Sequence, residues 1–237
     1  QISRYLKKAI AEHKSGNKLD QFFSYTGDGS YSNSLVAWTP ETHTIREQMP
    51  KVFDREGRAR FIRYNFSEYP KDDVINMLKR EDLDLSIFHE HGVPERMYLS
   101  GSAATQTWNA HMDAMKYYWR GLARRYENRP KDFKEMLERM EKRYGLDSTW
   151  IAGWNDPKVI EEDSLLDLRT GIILPEVTQM KPSSRMVIFD ACYNGDFREK
   201  DYIAGRFIMA EGKTVVTFAN SVNVLQDKMA NEMLGLL

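Results

Sequence analysis

Apolar and polar positions along this chain follow two periods, and the switches between them mark out the elements. Ile2, Tyr5, Leu6 and Ile10 recur at helical spacing and predict an opening amphipathic helix. A polar link from Lys14 to Lys18 separates it from Phe22-Phe23-Ser24-Tyr25, an apolar run that predicts a first strand. The glycine-rich turn Thr26-Gly27-Asp28-Gly29-Ser30 follows. Glu41 to Val52 suits a helix, and Arg60-Phe61-Ile62-Arg63-Tyr64 alternates like a strand. Val74, Met77 and Leu78 then share one face of a helix over Lys71 to Lys79. Leu83 to Phe88 predicts a further strand, closing in His89-Glu90-His91-Gly92.

From Ala103 to Pro182 the pattern turns to long helices. Trp108, Met112, Met115, Trp119 and Leu122 form one stripe, and Phe133, Met136, Leu137, Met140 and Tyr144 form another. Asn128-Arg129-Pro130 breaks the chain between them and Gly145 ends the second, which predicts an αα-hairpin. These stripes read as packing faces, with His111 a bystander. Trp150 to Pro157 reads as loop and Asp163 to Leu168 as a short helix.

Met186-Val187-Ile188-Phe189 is a continuous apolar run, the signature of a central strand in a parallel sheet. It leads into Cys192, and Asn194-Gly195 turns the chain. Phe197 to Ala210 has helical spacing, Lys213 to Phe218 reads as another buried strand, and Val224 to Leu237 as a closing apolar helix. Strands alternating with helices imply an α/β fold with a mostly parallel central sheet and helices on both faces. The expected organisation is a single domain over 1–237, with 103–182 as a helical insertion.

Bulk properties narrow the function classes. A length of 237 residues allows one large domain or a domain with an insertion. A formal charge of −1 at pH 7 gives no electrostatic case for nucleic acid or an anionic membrane. No apolar run approaches the length of a membrane span. One cysteine excludes an internal disulfide framework and a multi-cysteine metal site, but leaves the compartment open. The turn around Gly27 lacks the Lys-Ser/Thr of a phosphate-binding loop. An opening at Gln1, already within a helical pattern, is what a mature or excised piece of a longer protein would show.

Two apolar strands thus end in chemistry, one in His91-Gly92 and one in Cys192. Parallel strands end on the same side of a sheet, where open α/β folds place their ligands. A cysteine nucleophile needs a neighbouring base, and imidazole is its usual partner. The backbone N–H groups of Gly92 and Cys192 are the natural donors for an oxyanion. On its own segment Cys192 reads equally as a buried structural cysteine. His89-Glu90-His91 also reads as the start of a metal site, although two-histidine zinc helices space their histidines four apart and no third ligand is evident.

These two stretches, Phe88-His89-Glu90-His91-Gly92 and Phe189-Asp190-Ala191-Cys192-Tyr193-Asn194-Gly195-Asp196-Phe197, resemble the caspase-like cysteine peptidases, and within them the gingipain-like family. The resemblance covers most of the chain outside Ala103 to Pro182. It implies a caspase-like α/β/α sandwich and a cysteine endopeptidase, with Cys192 as nucleophile and His91 as base or proton donor. Asp28 falls where gingipains carry the acidic residue that orients the histidine; the equal alternative is a turn-forming Asp. His43 falls near the specificity-pocket acid of the family, with Glu41 two residues away, so a basic preference is not implied. Asn220 to Gln226 lacks the pocket-wall Trp of the arginine-specific relatives, leaving Ser221 and Asn223 as substrate contacts.

The resemblance further implies a protein or peptide substrate, no required cofactor or metal beyond a structural calcium, and a secreted, periplasmic or cell-surface location. His91 and Cys192 are 101 residues apart, more than the family usually shows, and the insertion between them is a candidate docking surface for a partner or propeptide. A non-catalytic binding module and a transpeptidase are the alternatives on the same fold.

Overall fold

Five short segments pair into one parallel sheet, with Phe22–Thr26 and Leu85–His89 buried along their whole length and the outer strands Ala59–Arg63 and Val216–Ala219 partly exposed. The computed structural model describes residues 2–27, 41, 43–44, 46–48, 50, 58–63, 70–99 and 108–224. The strands are β1 (Phe22–Thr26), β2 (Ala59–Arg63), β3 (Leu85–His89), β7 (Met186–Asp190) and β8 (Val216–Ala219), in the order β2-β1-β3-β7-β8. Every neighbouring pair is parallel. Helices flank this sheet, as the alternation of periods implies for an α/β/α arrangement. Their ranges are α1 (Ile2–Ser15), α2 (Pro70–Leu78), α6 (Leu174–Met180) and α7 (Ile203–Met209).

The pleat splits the strand residues between two cores. Phe23, Tyr25, Phe88, Val187 and Phe189 join Val74, Leu78, Val177 and Phe207 in the larger one. Phe22, Leu85, Ile87 and Ile188 form the smaller. Phe88 stacks on Phe189 with ring centroids 5.8 Å apart, and Phe207 meets Phe189 edge-on at 5.2 Å. Aromatic pairs of this geometry add about 0.5–1.5 kcal/mol beyond their burial. They sit one residue before the ends of β3 and β7, so they hold together the two strand ends that matter for the site.

A second, antiparallel sheet, not foreseen from the sequence, is built from β4 (His91–Val93), β5 (Arg96–Tyr98) and β6 (Gly171–Ile173). Three-residue strands are too short for a period of two to show, and β6 is remote in sequence from its partner. Its consequence is a boundary correction. The stretch expected as an insertion over 103–182 is a compact unit over Ser102–Arg169, and β6 and α6 belong to the unit that carries the parallel sheet.

Within that second unit, α3 (Trp108–Arg125) and α4 (Pro130–Tyr144) form the expected hairpin, packing Trp119, Ala123, Met136 and Met140 together. Gly145 takes φ 65° at the end of α4; its N–H donates to the Glu141 carbonyl and the Leu146 N–H to the Met140 carbonyl, as at a helix-ending glycine. A 3₁₀ turn at Ser148–Ile151 occupies part of the expected loop. The short helix expected at 163–168 is one part of the longer α5 (Pro157–Thr170). Asp163 on α5 is buried and accepts bonds from Arg120 and Arg124 of α3.

Two further expectations change. Helix α7 starts at Ile203, not near Phe197, because residues 193–200 are spent in turns around the cysteine. In α1 the apolar residues Ile2, Leu6 and Ile10 are exposed. The other face docks through polar tips instead, Arg4 and Lys8 donating to the free carbonyls of Met209, Ile208 and Ala210 at the end of α7. The closing helix expected over 224–237 lies beyond residue 224 and so outside the described residues.

Candidate active site

Strand β3 ends at His89 and β7 at Asp190, and these two residues face each other in the ladder. His91 and Cys192 each lie two residues further on. The last backbone link between the strands is Glu90 N–H to the Asp190 carbonyl at 3.3 Å. Beyond it the chains part, one into the β4–β5 hairpin and the other into the cysteine turn. They do not part far. A Cβ built on Gly92 would stand 2.5 Å from the Cys192 carbonyl oxygen and 2.6 Å from both amide atoms of Asn194. The His-Gly stretch and the cysteine turn are therefore in direct contact, and only a glycine fits between them.

The turn itself is held from several sides. Tyr193, next to the cysteine, has φ 56°, a left-handed conformation that a bulky residue keeps only when its surroundings enforce it. Here Tyr193 N–H donates to the Val222 carbonyl at 3.2 Å, and Asp196 N–H donates to the Tyr193 carbonyl at 3.0 Å. Gly195 N–H donates to the Asn220 carbonyl at 3.0 Å, with the Ala219 backbone too close for any side chain at Gly195. Asn194 is fully buried and its Nδ2 donates to the carbonyls of Val93 (2.7 Å) and Arg96 (2.9 Å), stitching the turn to the β4–β5 hairpin. The N-terminus of α7 completes the frame, Ile203 N–H reaching the Pro94 carbonyl and Ala204 N–H the Asn194 carbonyl.

Cys192 is half-buried at the rim of this frame. Its thiol donates to Asn223 Oδ1 at 2.9 Å, with the Val224 carbonyl a second acceptor at 3.3 Å. Val224 N–H in turn points at the sulfur from 3.4 Å. Asp196 binds Arg198 through both carboxylate oxygens at 2.7 Å, which holds its pKa below the usual range, and Arg198 also donates to the Ser221 carbonyl. Gly195 and Asp196 therefore shape the turn, and Ser221 and Asn223 lie in the segment wrapped around the cysteine.

The other expected site residues separate into distinct places. Glu41 is buried with its carboxylate committed inward, one oxygen to Ser24 Oγ and the other to His89 Nε2 at 3.0 Å. His43 is exposed and pairs with Glu47 at 3.1 Å. Asp28 lies outside the described residues.

What sequence reasoning missed is the network at His89. Its Nδ1 lies 2.9 Å from Asp190 Oδ2 and its Nε2 3.0 Å from Glu41 Oε1, so an imidazolium donates to a carboxylate on each side. Burial alone would lower the imidazole pKa, but the Glu41 charge and the hydrogen bonds to Asp190 and Glu41 outweigh it and raise it to about 10. Neighbouring Glu90 is also buried, and burial pushes its carboxyl well above the ordinary range. The sequence shows only that Phe88-His89 and Phe189-Asp190 end two apolar runs in groups able to carry opposite charge; the register is what sets them side by side. Among the described residues no three His, Cys, Asp or Glu side chains converge as a metal-ligand set. No known protein family, curated protein or solved structure matches the chain.

Proposed function

We propose that this chain is a cysteine endopeptidase of the caspase-like type, with Cys192 as nucleophile and His91 as its base. The observation that carries the reading is the contact of Gly92 with Cys192 and Asn194, which brings the histidine-bearing and cysteine-bearing stretches together at the carboxyl ends of two neighbouring interior strands. The strained, over-determined backbone at Tyr193 beside the cysteine supports it, because such strain clusters at functional sites.

In this reaction the Cys192 proton passes to His91 and the thiolate attacks the peptide carbonyl carbon. The carbonyl becomes an oxyanion, which the N–H groups of Gly92 and Cys192 receive. The C–N bond then breaks, the leaving amine takes the proton from His91, and a thioester remains on Cys192. Water, deprotonated by His91, attacks the thioester; the acid departs and the thiol recovers its proton. Asn223 has a part in the resting state. Its amide oxygen accepts from the thiol, and half a turn of the amide presents Nδ2–H to the thiolate instead.

The test is hydrolysis of a diverse peptide library and labelling by an acyloxymethyl ketone. Wild type cleaves and is labelled at Cys192; Cys192→Ala and His91→Ala do neither. Mass spectrometry with an added amine separates hydrolysis from transpeptidation. The hydrogen-bonded thiol favours one second reading, a binding module in which Cys192 merely ties down residues 223–224. A native protein inert to the ketone, with unchanged binding partners in Cys192→Ala, would select it.

A further inference from the structure

We propose that His89 is a positioning residue for the Cys192–His91 pair, tying the end of β3 to the end of β7 and to Glu41 so that the two reactive stretches leave the sheet at a fixed offset. The inference rests on the peptidase reading for its catalytic consequence, though its structural content is independent of it.

The geometry is specific in three respects. The ladder between β3 and β7 closes at His89 and Asp190, so the ring bond to Asp190 is the last side-chain link before the chains part toward His91 and Cys192. The ring is anchored at both nitrogens, by carboxylates that are remote from it in sequence, and so cannot turn without breaking one bond. Glu41 is in turn bonded to Ser24 of β1, which extends the link across three adjacent strands. Among the described residues, the ionisable groups that act on the ring are Glu41, Asp190 and Glu90, all acidic.

Such a cluster is a poor way to gain stability alone. Buried ion pairs commonly do no better than apolar side chains of the same size, and their best-attested use is to select one arrangement. Here the arrangement selected is the spacing between two loops that must meet. An apolar residue at 89 would fill the volume but remove both ring bonds, the one to Asp190 and the one to Glu41. His91, by contrast, lies in β4, two residues beyond this clamp.

Four measurements on the whole chain decide the matter. In wild type, ¹⁵N spectra of the His89 ring should show both nitrogens protonated at neutral pH; a ring that titrates at the ordinary histidine value overturns the proposal. In His89→Gln and in Asp190→Asn, amide exchange at residues 90–93 and 190–196 should quicken by about tenfold or more while the sheet interior stays protected. The pH profile of Cys192 alkylation by iodoacetamide should shift in both variants, and kcat should fall by about 10²-fold with KM little changed. Unchanged exchange and an unchanged alkylation profile in both variants would overturn the clamp. A wild type that alkylates and exchanges as described but cleaves no peptide would overturn the peptidase reading and leave the clamp standing. Asp190→Asn retains a hydrogen-bond acceptor, so it still reports if the His89 variant fails to fold.

Discussion

Replacing Gly92 by alanine puts a methyl group where the structure has no room. The new Cβ would lie 2.5 Å from the Cys192 carbonyl oxygen, about 0.9 Å inside the 3.4 Å at which ordinary contact begins, and 2.6 Å from the Asn194 amide. Neither neighbour can swing away cheaply. The carbonyl is main chain, and the Asn194 amide is held by the Val93 and Arg96 carbonyls. The strain must be relieved by moving the cysteine turn off the β4 backbone. Overpacking of this kind costs about 1–3 kcal/mol of stability. Its effect on chemistry is larger, because a displacement of about 1 Å between reacting groups costs about 10²-fold in rate. Urea unfolding measures the first quantity and kcat/KM on a library-selected peptide the second. Gly121→Ala is the matched control. It sits within α3 with nothing inside 4 Å of the added carbon, so it should raise stability by about 1 kcal/mol through helix propensity alone. If Gly92→Ala unfolds at the wild-type urea concentration and keeps wild-type kcat/KM, the two stretches are not in contact and the argument for a shared site fails.

Other perturbations probe separate parts of the frame. Asn194→Ala removes the bonds to the carbonyls of Val93 and Arg96 and should destabilise by about 2–3 kcal/mol in urea unfolding. Asp163→Ala strips the buried partner from Arg120 and Arg124 and should cost about 3 kcal/mol, read as an earlier loss of helical circular dichroism. The pH dependence of stability has a definite sign at His89. Its folded pKa is raised from 6.5 to about 10, so its contribution is complete below pH 6.5 and disappears as pH rises through about 10. Lys8, lowered to about 8 by burial and by Arg4, acts in the opposite sense over part of that range. The difference in urea midpoint between wild type and His89→Gln, followed from pH 6 to 10, therefore isolates the histidine, and it should shrink as pH rises. A constant difference would contradict the charged state assigned to the ring.

The parallel sheet was legible because its strands are apolar runs bounded by polar turns. Phe22 to Tyr25, Leu83 to Phe88 and Met186 to Phe189 declare themselves by composition alone. The helical hairpin was legible for the same reason, since Trp119, Met136 and Met140 fall on stripes that must face something. The second sheet was not, because strands as short as β4, β5 and β6 carry no period and their pairing joins residue 98 to residue 171. The paired strand ends could be inferred from two motifs, since parallel strands finish on one side whatever their order. That β3 and β7 are immediate neighbours could not, and on that adjacency depends the contact of Gly92 with the cysteine turn. His89 was misjudged for a related reason. A histidine two residues before the expected base looks like a spare ligand until the register shows Asp190 opposite it and Glu41, distant in sequence, behind it. Glu41 likewise read as a substrate contact because a local pattern cannot reveal that both its oxygens are occupied inside the protein.

The central claim is that the Cys192 sulfur attacks a peptide carbonyl with His91 taking the proton. The direct measurement is to quench a reaction with a cleavable peptide at acid pH and weigh the intact protein. Wild type should carry one acyl group, located on Cys192 after digestion and released by hydroxylamine. His91→Ala should carry none, and Cys192→Ala should neither acylate nor hydrolyse the peptide. Full hydrolysis by Cys192→Ala, or an acyl group found elsewhere on the chain, would contradict the account.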